Sequence, residues 1–158
     1  MFKEIKKKKN EISKEKTLDL LTKCKRGVIS FNGEDNYPYC IPINYFFDRD
    51  NNKIYFHGCK SGYKVDLIKK CNKICFTVIG NKKIIDETWA PYLSSAVVFG
   101  RCHLLENNDD NIKLLKKFAL KYYPNEEMVD KEIKLLGKVV QLFEIEIEHI
   151  SGKQIQEK

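Results

Sequence analysis

Near the C-terminal end of the chain Phe143, Ile145, Ile147 and His149 alternate with Glu144, Glu146 and Glu148. Successive side chains of a strand point to opposite faces, so this two-residue period requires a β-strand with one buried and one wet face. A chain containing it has to close a sheet over a core. Six segments read as strands, in antiparallel meander style with short helices, which predicts a small barrel rather than a parallel sheet.

The first strands are Val28-Ile29-Ser30-Phe31 and Tyr37 to Phe47, separated by Asn32-Gly33-Glu34-Asp35-Asn36, a cluster that tolerates turn dihedrals. Asp48-Arg49-Asp50-Asn51-Asn52 makes a second turn, and Lys53 to His57 a third strand. Lys73 to Ile79 is the fourth. The fifth runs from Ser94 to Leu105 and is rich in β-branched residues around Val97-Val98-Phe99-Gly100. The segment from Gly80-Asn81-Lys82-Lys83 through Pro91 reads as a loop, and its Trp89 and Tyr92 are candidates to stack on a ring ligand or to cover core surface.

Helical spacing appears in four places. Ser13 caps a first helix carrying Leu18, Leu20, Leu21 and Cys24, without the reciprocal glutamate of a full capping box. From Gly62 the apolar positions Tyr63, Leu67, Ile68 and Cys71 mark a short helix. Leu115, Phe118, Ala119 and Tyr122 form one face of a helix from Asp110 to Tyr123, which Pro124 ends. Glu126 to Leu136 is a further helical piece.

The 158 residues match the usual extent of one domain, and 42% hydrophobic content is enough for an ordinary core. Residues 13–158 are expected to form that domain and residues 1–12 a basic flexible tail. Much of the net charge of +7 falls in the first sixteen residues, at Lys3, Lys6, Lys7, Lys8, Lys9, Lys14 and Lys16. That is the pattern of a solvated segment, and no aromatic-basic module accompanies it, so no nucleic-acid partner is expected. No apolar run is long enough for a membrane span or a signal-peptide core, and a cytoplasmic location is expected. The six cysteines contain no CxxC pair and sit mostly among apolar neighbours; they read as reduced thiols, and no metal site is expected.

The junction Ile54-Tyr55-Phe56-His57-Gly58-Cys59-Lys60-Ser61-Gly62-Tyr63-Lys64 passes from strand to helix. The first N–H groups of a helix lack intrahelical partners and carry partial positive charge, so such a junction suits an anion. Gly58 and Gly62 permit close backbone approach, while Lys60 and Lys64 add full charges. A helix end contributes only about 0.3–1 kcal/mol when exposed. The remaining affinity has to come from a flat apolar body in a cleft, which points to a phosphorylated ring cofactor. The junction is neither a Walker A loop nor a GxGxxG fingerprint.

Four segments appear in a telling order: Tyr37-Pro38-Tyr39-Cys40-Ile41-Pro42-Ile43-Asn44-Tyr45, then Lys53 to Gly58, then Gly62-Tyr63-Lys64, then Ser95-Ala96-Val97-Val98-Phe99-Gly100. The chain resembles the pyridoxamine 5'-phosphate oxidase-like FMN-binding split barrels, and within them the nitroimidazole-reductase branch. It departs from the pattern at Asn36, in place of a glycine, and at Leu93-Ser94, where a basic or aromatic residue is usual.

The resemblance implies a six-stranded antiparallel split β-barrel with FMN at a homodimer interface. It makes Gly58, Gly62 and Lys64, with Lys60, the phosphate-loop residues, places Pro42 and Asn44 on the cofactor strand, and lets Ser95 reach the site from a neighbouring strand or subunit. His57 is the candidate catalytic residue, because an imidazole titrates near neutrality. The expected activity is reduction of a small nitro- or quinone-like acceptor with a reduced nicotinamide donor. The alternatives are a haem-binding or haem-degrading split barrel, with His57 or His149 as axial ligand, and a flavin-binding dimer without turnover.

Overall fold

The computed structural model describes residues 2–80, 83–85 and 88–156, without the side chains of residues 83–85 and 88–90. In chain order the elements are α1 (Lys14–Lys23), β1 (Arg26–Asn32), β2 (Pro38–Asn44), β3 (Phe46–Asp48), β4 (Lys53–Cys59), α2 (Tyr63–Lys70), β5 (Lys73–Ile79), β6 (Lys83–Ile85), β7 (Thr88–Leu104), α3 (Asp109–Leu120), α4 (Glu126–Leu136) and β8 (Val140–Gln156). The strands form one antiparallel sheet in the order β2-β1-β5-β7-β8-β4-β3, with β6 paired beside β7. The sheet curls into a split barrel. Seven strands follow one another around it, against the six expected, and β6 makes an eighth.

The interior comes from one face of each strand: Ile29 and Phe31, Ile54 and Phe56, Ile74, Phe76 and Val78, Ala96 and Val98, Phe143 and Ile145. The rings of Phe56 and Phe143 stack 4.6 Å apart, and Leu21 from α1 and Val65 and Ile68 from α2 join the same cluster. Burying each such side chain stabilises the fold by about 1.5–3 kcal/mol.

The single strand expected from Tyr37 to Phe47 is two strands. β2 pairs with β1, whereas β3 pairs with β4. The break falls at Tyr45, whose side chain is fully buried and whose backbone N–H and carbonyl both meet the Tyr122 hydroxyl, at 2.8 and 2.7 Å. Those backbone groups are therefore satisfied without a neighbouring strand, and the chain is free to leave one side of the split and join the other.

The segment from residue 80 to 91, expected to be a loop, contains β6 and the beginning of β7, although Asn81, Lys82, Asp86 and Glu87 lie outside the described residues. The residues from Thr88 to Leu93 carry no clear alternation, so the N-terminal third of β7 had no sequence signal.

β8 is also longer than its alternating core, and its pattern shifts. Phe99 lies opposite His149 but Gly100 lies opposite Ile147, so Glu148 is an extra residue, a β-bulge. Before it Phe143 and Ile145 point inward; beyond it the inward positions are Ile150 and Gly152. His149 is thereby turned to the outer face, away from the buried row it was expected to share. Gly100 permits this, because a Cβ there would meet the Glu146 carbonyl.

The segment ahead of α1 follows the part of β8 that β4 leaves unpaired. Ile12 N–H donates to the Gly152 carbonyl at 3.1 Å, Glu11 bridges to Lys153, and Phe2 stacks on His149 (4.9 Å) and Phe99 (5.4 Å) on the outer face. Such pairing blunts an otherwise open sheet edge.

The Ser13 Oγ accepts from Lys16 N–H at 3.3 Å, as the cap reading required. At the other end of α1 the orphan carbonyl of Leu21 accepts from the Tyr45 hydroxyl at 2.6 Å, inside the core. Tyr45→Phe leaves that carbonyl unpaired and is expected to lower unfolding free energy by about 1–3 kcal/mol. Urea denaturation checks this; an unchanged midpoint would show that the bond contributes nothing.

Candidate functional site

β4 delivers the site. Along it Ile54, Phe56 and Gly58 face the interior, so the alternate positions His57 and Cys59 open outward. Lys60 and Ser61 bend the chain, and Gly62 begins α2 with φ +116°, a dihedral that side-chain-bearing residues rarely adopt. No side chain caps this end of α2, and nothing lies within 4 Å of where a Cβ on Gly62 would stand. The helix start is open. Tyr63, the first helical residue, holds the junction against the turn before β2: its hydroxyl accepts from Glu34 N–H at 3.3 Å, and its ring meets that of Tyr39 edge-on at 4.8 Å.

The two lysines of the junction separate. Lys60 donates to the Lys138 carbonyl at 2.6 Å, tying the bend to the turn between α4 and β8. Lys64 reaches back over Gly58, its ammonium 5.5 Å from the centre of the Phe143 ring. A Cβ at position 58 would crowd that ammonium, the far end of a flexible side chain, so the glycine leaves the lysine free to lie where it does. Among the described residues Lys64 has no carboxylate partner within ion-pair distance.

His57 lies beside this charge. Its ring is open to solvent on one side and meets the Phe118 ring edge-on at 5.0 Å on the other. Desolvation by its surroundings, and secondarily the Lys64 ammonium, hold its pKa below the usual value of 6.5, so the neutral imidazole prevails at pH 7. A neutral imidazole presents one N–H donor and one ring-nitrogen acceptor.

His57 and Asn44 share the floor of a cavity of about 500 Å³ between the barrel and the α3–α4 pair. Its walls are apolar: Leu115 and Phe118 from α3, Val129 and Ile133 from α4, and Val140 at the start of β8. The face of Leu115, Phe118, Ala119 and Tyr122, legible in the sequence as an amphipathic stripe, forms a cavity wall rather than core alone. The α4 lining had no functional signal in the sequence, since Val129 and Ile133 are ordinary apolar residues at helical spacing.

The other candidate residues lie elsewhere on the outer surface. Pro42, on β2, is exposed opposite Val28. Ser95, on β7, stands opposite Ile79 on one side and Lys153 on the other. β1 and β5 separate β7 from β2, so Ser95 is about 14 Å from the Pro42–Asn44 strand at a strand spacing of about 4.8 Å. Within one chain it does not join His57, Asn44 and the junction. Tyr92 is in β7 opposite Gln156, and the side chain of Trp89 lies outside the described residues.

All six cysteines are unpaired, and no group of three metal-ligating side chains occurs among the described residues. Nor is any described helix long and apolar enough to cross a membrane.

The family model for pyridoxamine 5'-phosphate oxidase matches residues 13–154. The chain belongs to that family. Comparison with curated proteins returned no match. Among solved structures, it is similar to a candidate 5-nitroimidazole antibiotic resistance protein from Bacteroides thetaiotaomicron, at 15% identity and TM-score 0.73 over 92% of this chain and 86% of the other. An FAD-binding protein from Mesorhizobium loti aligns at 20% identity and TM-score 0.66, covering 91% and 96%. The FAD and heme binding protein from Mycobacterium smegmatis aligns at 16% identity and TM-score 0.70, covering 89% and 70%. These likenesses establish a shared fold, and the oxidase-family barrel of this chain carries its open helix start and its His57 cavity on adjoining stretches of β4.

The pairing of Lys64 with His57 is directly measurable. A histidine with a depressed folded pKa contributes stability that is complete above its ordinary value and lost as pH falls through the folded one. The NMR titration midpoint of His57 is expected below 6.5, and Lys64→Met is expected to move it upward. A midpoint indifferent to Lys64 would exclude electrostatic coupling between them.

Proposed function

We propose that this protein is a flavin-dependent oxidoreductase that holds FMN and reduces a small nitro- or quinone-like acceptor, with a reduced nicotinamide as donor. The observation that carries the reading is the open start of α2, with Lys64 in its first turn and no carboxylate partner for that ammonium among the described residues. Three components of a phosphate cradle belong to this one junction: orphan helix N–H groups, a glycine with positive φ, and Lys64 in the first helical turn, whose ammonium lies over Gly58. The FAD-binding neighbours from Mesorhizobium loti and Mycobacterium smegmatis support a flavin. A single cradle of this kind suits the one phosphate of FMN.

Bound flavin would supply the electron transfer itself. The protein's own groups orient and gate. Gly62 and Lys64 hold the phosphate, Pro42 and Asn44 line the face along β2, and Gly58 and Lys60 shape the loop. His57, kept neutral, donates or accepts a hydrogen bond at the polar end of an acceptor in the adjoining cavity. The apolar walls exclude water from that end.

A homodimer supports the same reading. The outer sheet face exposes Val28 (41%), Ile79 (61%) and Phe99 (38%), an apolar surface of the kind that a second copy covers. Ser95 lies on this face, where it would meet a flavin held across the interface rather than one held by its own chain.

The haem-binding reading also has a specific observation in its favour: a neutral histidine on the floor of an apolar cavity, in a fold shared with an FAD and heme binding protein. His149, stacked under the Phe2 ring on the outer face, is less available as an axial ligand. A non-catalytic flavin-binding dimer differs only in lacking turnover.

The absorption spectrum of the purified protein separates these readings, since flavin bands and a Soret band are distinct. Lys64→Ala is expected to weaken FMN binding by roughly tenfold or more, the scale of one charge-assisted hydrogen bond, with the fold intact. Unchanged affinity in a flavin titration removes Lys64 from the cradle. His57→Ala is expected to keep flavin and lower turnover with nitro and quinone acceptors; full activity assigns the histidine a structural role. Light scattering tests the dimer.

A further inference from the structure

The cavity over His57 is much larger than a one-ring acceptor needs. About 150 Å³ suffices to hold benzene, whereas this cavity measures about 500 Å³. A single ring placed against His57 and Asn44 would leave most of its apolar wall against water, forgoing the burial that a longer apolar ligand gains.

Its chemistry is graded. The polar groups Asn44 and His57 sit together on the strand side. The Tyr122 hydroxyl is already engaged with the backbone of Tyr45 and Lys25, so that residue offers only its ring. Toward α4 the lining is aliphatic, with Val129, Ile133 and Leu136. Among the described residues no lysine or arginine lines the cavity, and the one carboxylate that does, Glu132, is exposed. The cation nearest the polar end is the Lys64 ammonium beside His57, so an anionic group among the aliphatic walls toward α4 would be desolvated without a counter-ion.

The apolar lining also runs out onto the surface. Met128 and Leu136 line the cavity yet remain 61% and 47% exposed, and Tyr123 beside them is exposed too. Large apolar side chains clustered at the lip of an apolar cavity mark a ligand that extends through the opening.

We propose that this cavity binds an uncharged flat ring bearing an aliphatic chain, with the ring against His57 and Asn44 and the chain along α4 toward Met128 and Leu136. The assignment rests on the oxidoreductase reading only in making the ring the end that is reduced; the binding itself does not depend on it.

Calorimetric titration of the protein as purified, with a decyl-substituted benzoquinone and with its chain-free parent, tests the assignment. The decyl compound is expected to bind at least about tenfold more tightly, because each buried methylene adds to affinity. Leu136→Lys, at the lip, and Ile133→Trp, which fills the channel, are each expected to abolish that preference. Leu135→Lys, on the outward face of α4 and outside the lining, is expected to keep it. Circular dichroism confirms that each variant is folded, and Leu136→Lys, at a half-exposed position, remains informative if Ile133→Trp does not fold.

Equal affinity for the two quinones overturns the proposal. So does a chain preference that survives Leu136→Lys in the folded variant. Flavin content, read by absorbance on the same samples, separates the two readings. Chain preference without bound flavin would leave this site standing and remove the flavin enzyme; bound flavin without chain preference would do the reverse.

Discussion

Tyr45 is the point from which the rest of the molecule is held. The chain passes there from β2 on one side of the split barrel to β3 on the other, and a crossing of that kind strands backbone groups that a sheet would otherwise pair. Its side chain is fully buried, and its hydroxyl closes the C-terminal end of α1. Its own N–H and carbonyl are taken by Tyr122 from the end of α3, and Lys121 donates to the carbonyls of Cys24 and Tyr45 while lying 4.4 Å above the Tyr45 ring. Burial pushes that lysine down to about 8. One residue thus fastens α1, the strand crossing and α3, and through α3 it fixes the wall of the His57 cavity.

The site itself depends on what glycine leaves out. At position 58 the missing side chain makes room for the Lys64 ammonium, and at position 62 it allows a dihedral that turns the chain into α2 without closing the helix end. Lys64 then lies over Gly58 and the Phe143 ring and acts as an electrostatic bias on His57. Lys60, the other cation of the junction, anchors the bend to the turn after α4, so the cradle and the far end of the cavity are mechanically connected. The proposed cofactor grip and the proposed acceptor cavity adjoin because both are built on the last residues of β4.

Local chemistry made much of this readable in advance. Alternation marked the core strands, the Ser13 cap marked α1, and the change of period at Gly62 marked α2, because each depends on residues adjacent in the chain. The break at Tyr45 was hidden because a tyrosine two residues after Ile43 and two before Phe47 continues a strand pattern; the partner that interrupts it, Tyr122, lies 77 residues away. The bulge at Glu148 was hidden for a similar reason, since perfect alternation through His149 carries no sign that Gly100 on β7 draws the opposing backbone in.

The site divides along the same line. His57, Gly58, Gly62 and Lys64 stand within eight residues, and their types and spacing marked a strand-to-helix anion junction; the family resemblance also needed the segments Tyr37 to Tyr45 and Ser95 to Gly100. That Asn44 joins His57, that Lys60 turns toward Lys138, and that Ser95 stands three strands from Asn44 were decided by sheet order and register. The cavity was decided there too, because Phe118 and Ile133 read as ordinary helix faces until α3 and α4 are laid over β4 and β8. Residue type and short spacing establish hydrogen-bonding capacity, charge and backbone freedom. Which surfaces enclose a volume depends on contacts between distant segments, and no local pattern encodes those.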